Sequence, residues 1–210
     1  GSSVSGGGGA VYVTVGSGNS GAGGELVLSA GTTSSGGAVG GHILMRTGFS
    51  TTAASGDLQM MTSNAGTTGV SGLIVLSSGS TIAGDSGALY LGSGSAAGGR
   101  GGAVYVTVGS GNSGVGGELV LSAGTTTDSG FGGHVLLKTG YSTKTSSGDL
   151  QLMTADAGTQ GVSGLIVLST GDATSGNSGA LYLGSGSSAS GRGGAVYVTV
   201  GSGNSGAGGE

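Results

Sequence analysis

Apolar and polar residues alternate in short bursts along this chain, and the bursts recur at a near-constant distance. Cutting before each Gly-Gly or Ser-Gly from Gly8 onward yields six segments of 15, 17, 15, 16, 15 and 15 residues, after which the pattern starts again. In each, a small residue and a Gly come first. The fourth and sixth positions are then apolar, as in Val11/Val13, Leu26/Leu28, Ile43/Met45, Leu58/Met60, Ile74/Leu76 and Leu89/Leu91. A tail of Gly, Ser, Thr and Ala closes the segment. Alternation over about six residues, flanked by Gly, is a strand signal. No segment carries the 3.6-residue stripe of a helix, and glycine at this density opposes one.

One strand plus one turn-rich tail every ~15 residues is the pattern of a β-solenoid, in which coils stack at roughly 4.8 Å and share an apolar row that none could bury alone. The expected fold is therefore all-β, with six coils per superrepeat. The superrepeat is 93 residues long in its first copy and 92 in its second, and GGAVYVTVGSGNSG appears at 8–21, 101–114 and 193–206. The expected organisation follows: 1–7 ends a preceding repeat, 8–100 and 101–192 are two complete repeats, and 193–210 opens a third. Because the pattern is cut at both ends, the chain reads as an excerpt of a longer repetitive protein.

The fifth segment position should point away from the fourth and sixth. It holds Tyr12, Val27, Leu44, Gln59, Val75 and Tyr90, then Tyr105, Val120, Leu136, Gln151, Val167 and Tyr182. A strand apolar on both faces is normally covered on both. The expected cover is a second copy, so Tyr12, Val27, Leu44, Val75, Tyr90, Tyr105, Val120, Leu136, Val167 and Tyr182 form the candidate lateral packing face.

Composition sharpens this picture. Of 210 residues 56 are Gly, none is Pro or Cys, 35% are hydrophobic and only 7% charged. Disorder usually brings Pro and high net charge, so an ordered repeat is the expectation. A net charge of −4 with five basic residues in all gives no nucleic-acid patch. No run approaches the ~20 apolar residues of a membrane span. Thiol chemistry is excluded.

Candidate chemistry is sparse. The third position reads Glu25, His42 and Asp57 on consecutive segments, and Glu118, His134 and Asp149 in the second copy. Stacked coils would bring these groups together as a metal or acid–base cluster. With no fourth ligand or open position evident, an ionic ladder that fixes coil register is the preferred reading. Asp85 and Arg100 make a similar surface pair. No metal, cofactor or catalytic residue is expected. Asp128, Asp156 and Asp172 lack equivalents in the first copy, which opposes a repeated calcium site. A Thr row for ice binding breaks at once, since Thr14 is followed by Ser29, Arg46, Met61, Ser77 and Gly92.

The runs GELVLSAGTT, GDLQLMTADAGTQGVSGLIVLSTGDATSGNSGALYLGSGS and GGAVYVTVGSGNSGAGG resemble Gly/Ser-rich tandem-repeat proteins of diatoms and other microalgae. That resemblance implies an extracellular or cell-surface fibre, mucilage or covering component, with no catalytic residues. The expected function is structural: a filament built by lateral or end-to-end self-association. The alternative is a binding module that reads ice or polysaccharide with a repeated face. Polysaccharide and O-linked glycans are the further candidate partners.

Overall fold

The structure is a computed structural model of the whole chain, and it describes residues 1–206, 208 and 209. Among these residues there is no helix and no strand. The expected β-solenoid is not formed, and with it go the β-helix, its stacked coils and the shared interior row. The correction has a visible cause in where the backbone hydrogen bonds go. A solenoid ladder must join residues one coil apart, about 15 positions along the chain. Apart from one turn bond, Ala38 N–H to Ser35 O at 3.3 Å, the bonds actually made span eight to ten: Gly24 N–H donates to Gly16 O at 3.0 Å, Gly41 to Gly31 at 2.8 Å, Gly56 to Gly48 at 3.0 Å, Gly133 to Gly124 at 2.9 Å and Gly148 to Gly140 at 3.0 Å. Closing nine residues rather than 15 costs about 0.5 kcal/mol less in loop entropy. Glycine, which loses the most freedom on ordering, supplies both ends of each of these longer bonds.

The repeating unit is thus an apolar run followed by a tail that doubles back and is pinched at its mouth. A bend sits midway round each closed tail, at 19–21 between Gly16 and Gly24, at 51–53 between Gly48 and Gly56, and at 143–145 between Gly140 and Gly148. Serine hydroxyls hold some of these bends. Ser50 Oγ accepts from the Thr52 and Ala53 amides at 3.3 and 2.9 Å. In the second copy Ser142 Oγ accepts from Lys144 and Thr145 at 3.2 and 3.0 Å. Such hydroxyl-to-amide bonds replace backbone turn bonds. In the longer fourth tail of each copy the chain turns at Gly69 (φ +118°) and Gly161 (φ +119°), a region that side chains rarely enter.

The chain divides between Tyr105 and Val106 into two units, Gly1–Tyr105 and Val106–Glu210. Each contains the same motif in series. In the first unit the mouths close at Gly24, Gly41, Gly56, Gly72, Gly87 and Gly102; in the second at Gly117, Gly133, Gly148, Gly164, Gly179, Gly194 and Gly209.

No described residue is buried, polar or apolar. The accessible surface is 20604 Å² for 19.1 kDa. A compact protein of this mass exposes roughly 8,400 Å² and its fully extended chain roughly 28,000 Å². The alternation of the sequence survives as a difference of exposure in some segments only. Ile43 and Met45 are 56% and 55% exposed while Leu44 between them is 85% exposed, but Val11 is as exposed as Tyr12 and Leu28 as exposed as Val27. None of the residues expected in an interior has a core to enter.

Candidate functional site

The most sheltered side chains are Ala30 and Thr47, with Ala123 and Thr139 in the second copy; these alone among the described residues are half-exposed. All four occupy one place, the eighth position of a segment, immediately before the closed tail. There they face the second-position Gly of the next segment. We call this meeting point the neck. It recurs thirteen times, from Val15 against Gly24 to Val200 against Gly209.

Close approach explains the glycine at one clear pair of positions. A Cβ on Gly41 would lie 3.0 Å from Gly31 N and 3.2 Å from Ala30 Cβ; on Gly133 it would lie 3.1 Å from Gly124 N and 3.3 Å from Ala123 Cβ. Backbone is among the obstacles, so a side chain there strains the neck. The necks after the third segments are roomier: a Cβ on Gly56 would sit 3.6 Å from Thr47 Cβ, and on Gly148 3.7 Å from Thr139 Cβ.

Two kinds of latch hold ten of the thirteen necks, and those at Gly87, Gly117 and Gly179 make no hydrogen bond. After the second and third segments, and at Gly24 and Gly209, a backbone bond is the latch. After the fourth and sixth, the eighth-position hydroxyl donates to the carbonyl of the facing Gly. Thr62 reaches Gly72 O at 3.3 Å and Thr154 reaches Gly164 O at 3.4 Å. Ser93 reaches Gly102 O at 2.6 Å and Ser185 reaches Gly194 O at 2.6 Å. The last pair are short for hydroxyl–carbonyl bonds and identical in both copies. Removing the hydroxyls with Ser93→Ala and Ser185→Ala should weaken each neck by about 0.5–1 kcal/mol, a two- to five-fold fall in its closed population. The chain has no cysteine. Spin labels at Leu91→Cys and Val104→Cys would therefore report that opening without interference.

The residues singled out for chemistry are not gathered by this arrangement. Glu25, His42 and Asp57, their counterparts Glu118, His134 and Asp149, and Asp85 with Arg100 are all exposed. The coil stack that would line them up is absent. Among the described residues no three His, Asp or Glu side chains converge to hold a metal ion. Treatment with a chelator should accordingly leave the circular dichroism of the purified chain unchanged; a spectral change reversed by added zinc or calcium would point to a bound metal. The candidate lateral face, Tyr12, Val27, Leu44, Val75 and Tyr90 with Tyr105, Val120, Leu136, Val167 and Tyr182, is exposed throughout, at 67% or more. No helix of the described residues is long and apolar enough to cross a membrane.

The neck itself was the element that alternation did not disclose. Its signal is nevertheless in the chain: the second position is always Gly, and the eighth is always Val, Ala, Thr or Ser. No known protein family matches the chain, and neither a curated protein nor a solved structure is similar to it.

Proposed function

We propose that the chain is a structural repeat region of an extracellular filament or covering, working through length and a repeated adhesive surface and not through a reaction. The observation that supports this most directly is the serial identity of the motif. The same run, neck and tail follow one another along both units, with every large apolar side chain exposed and no residue set apart as a site. A chain with no buried side chain lacks the apolar burial that offsets the entropy of ordering. Association with further copies supplies that burial, since each copy offers the same rows: Val27, Leu44 and Val75 in the first repeat, Val120, Leu136 and Val167 in the second. Absence of proline and sparse charge leave little to resist such association. The extracellular setting is what the resemblance to microalgal Gly/Ser repeats implies.

The test is the mass of the chain in solution against concentration, by sedimentation and light scattering, followed by electron microscopy of any assemblies. Elongated assemblies that grow with concentration, and that persist in high salt as apolar association requires, support the reading. A chain that stays monomeric up to millimolar concentration overturns it.

A further inference from the structure

Six tyrosines stand exposed, from 81% at Tyr141 to 92% at Tyr90. Five occur only at the fifth position of the sixth and first segments, so each complete junction between superrepeats carries two of them, Tyr90 with Tyr105 and Tyr182 with Tyr197. The neck gives this spacing a geometry. Tyr90 lies three residues before Ser93, and Tyr105 three residues after Gly102; Tyr182 and Tyr197 stand in the same relation to Ser185 and Gly194. These are the necks latched by the 2.6 Å Ser Oγ–Gly O bonds. Each pair therefore lies three residues outside the two sides of one pinched mouth, and each tyrosine is separated from that mouth by at most about 10 Å of backbone. Both members of each pair belong to one unit.

We infer that these two necks are sites of oxidative tyrosine cross-linking, which would replace a reversible latch by a covalent one. The co-reactant is a peroxide acting through a one-electron oxidant such as a haem peroxidase. Each phenol loses one electron and one proton to give a phenoxyl radical. The two radicals join through a carbon ortho to each oxygen, forming one C–C bond, and the ring hydrogens displaced from those carbons move to the oxygens as the rings regain aromaticity. The protein loses two hydrogen atoms in all, and the peroxide takes up two electrons and two protons to leave as two waters. Two phenols tethered this closely meet at an effective concentration on the order of millimolar, well above that of a second chain in dilute solution. The chain has no cysteine, so no disulfide competes with such a link. The pairing stands whether or not the chain builds a fibre.

The experiment is oxidation of the full chain at micromolar concentration with a haem peroxidase and hydrogen peroxide. It is read by dityrosine fluorescence and by mass mapping of cross-linked peptides. Links Tyr90–Tyr105 and Tyr182–Tyr197 within one chain should dominate, and the double variant Tyr105→Phe, Tyr197→Phe should lose most of the fluorescence. Opening both necks with Gly102→Val and Gly194→Val should lower the yield of the paired links several-fold while oxidation of Tyr141 is unchanged. The Cβ of either substitution would meet serine Cβ at 3.1 Å. Cross-links that involve Tyr141 as often as the pairs, or a paired yield indifferent to the neck variants, would overturn the inference.

Discussion

A chain carrying Val27→Lys, Leu44→Lys and Val75→Lys will remain monomeric at concentrations where the unaltered chain associates. Each of these side chains is largely exposed, at 68%, 85% and 70%, so each is free to be covered by another copy. Covering one is worth about 1.5–3 kcal/mol. Lysine removes that gain and would place an ammonium against an apolar neighbour, which is unfavourable in its own right. The second repeat keeps its own row, Val120, Leu136 and Val167, so the expected change is a large rise in the concentration needed for association, and loss of association once those three positions are lysine as well. The substitutions touch no neck, so label distances across the necks should be the same in variant and parent. Sedimentation velocity checks the first expectation, and the paired labels check the second. Association undiminished by three lysines would mean that the outward row is not the adhesive surface.

Alanine at Gly41 should open its neck, whereas alanine at Gly56 should not. The two glycines hold the same place in consecutive segments, and a sequence comparison would treat them alike. Around Gly41 a Cβ meets backbone nitrogen at 3.0 Å and Ala30 Cβ at 3.2 Å; around Gly56 the nearest heavy atom is 3.6 Å away, an ordinary contact. Opening the first neck forfeits the Gly41–Gly31 bond. For an exposed amide that bond contributes about 0.5–1.5 kcal/mol, so hydrogen exchange at residue 41 should quicken by two- to ten-fold. Residues 31 and 41 should then separate from hydrogen-bond contact to a mean of about 17 Å, as a flexible stretch of ten residues does. Spin labels at Ser29→Cys and Ile43→Cys measure this. In Gly56→Ala the same measurement across 48 and 56 should be unchanged. The second copy provides an internal control through Gly133 and Gly148, which differ from each other in the same way.

How far the sequence announced this arrangement can be judged from single positions. The alternation at Ile43, Leu44 and Met45 predicts a strand, which is not formed, although Leu44 is more exposed than its two neighbours. The 15-residue period did predict one turn per segment, and each bend lies in a tail. Alternation could not reveal the partner of each run. It states that a face is apolar but is silent on whether the next coil, another chain or water lies against it. The solenoid was an inference from the need to bury that face, and the backbone bonds close the tails onto themselves instead. The Glu25–His42–Asp57 row depended wholly on stacking, so it gathers no site. The neck could have been found from the pairing of an invariant Gly with a uniformly small residue nine to eleven positions earlier, a regularity that reads as turn composition until the two are seen to touch.

The pinched tails also bear on how the chain would respond to being pulled. Gly24 follows Gly16 by eight positions and is held in hydrogen-bond contact with it, so breaking that one bond frees about 20–25 Å of slack. Ten of the thirteen necks carry such a bond, which makes the chain a row of small catches, each holding its own tail as hidden length. Under load they would let go one after another, dissipating work without severing the backbone, and re-form when the load is removed. Stretching a single molecule should therefore give a staircase of small, reversible extensions, with those at Ser93–Gly102 and Ser185–Gly194 missing once their tyrosines have been joined.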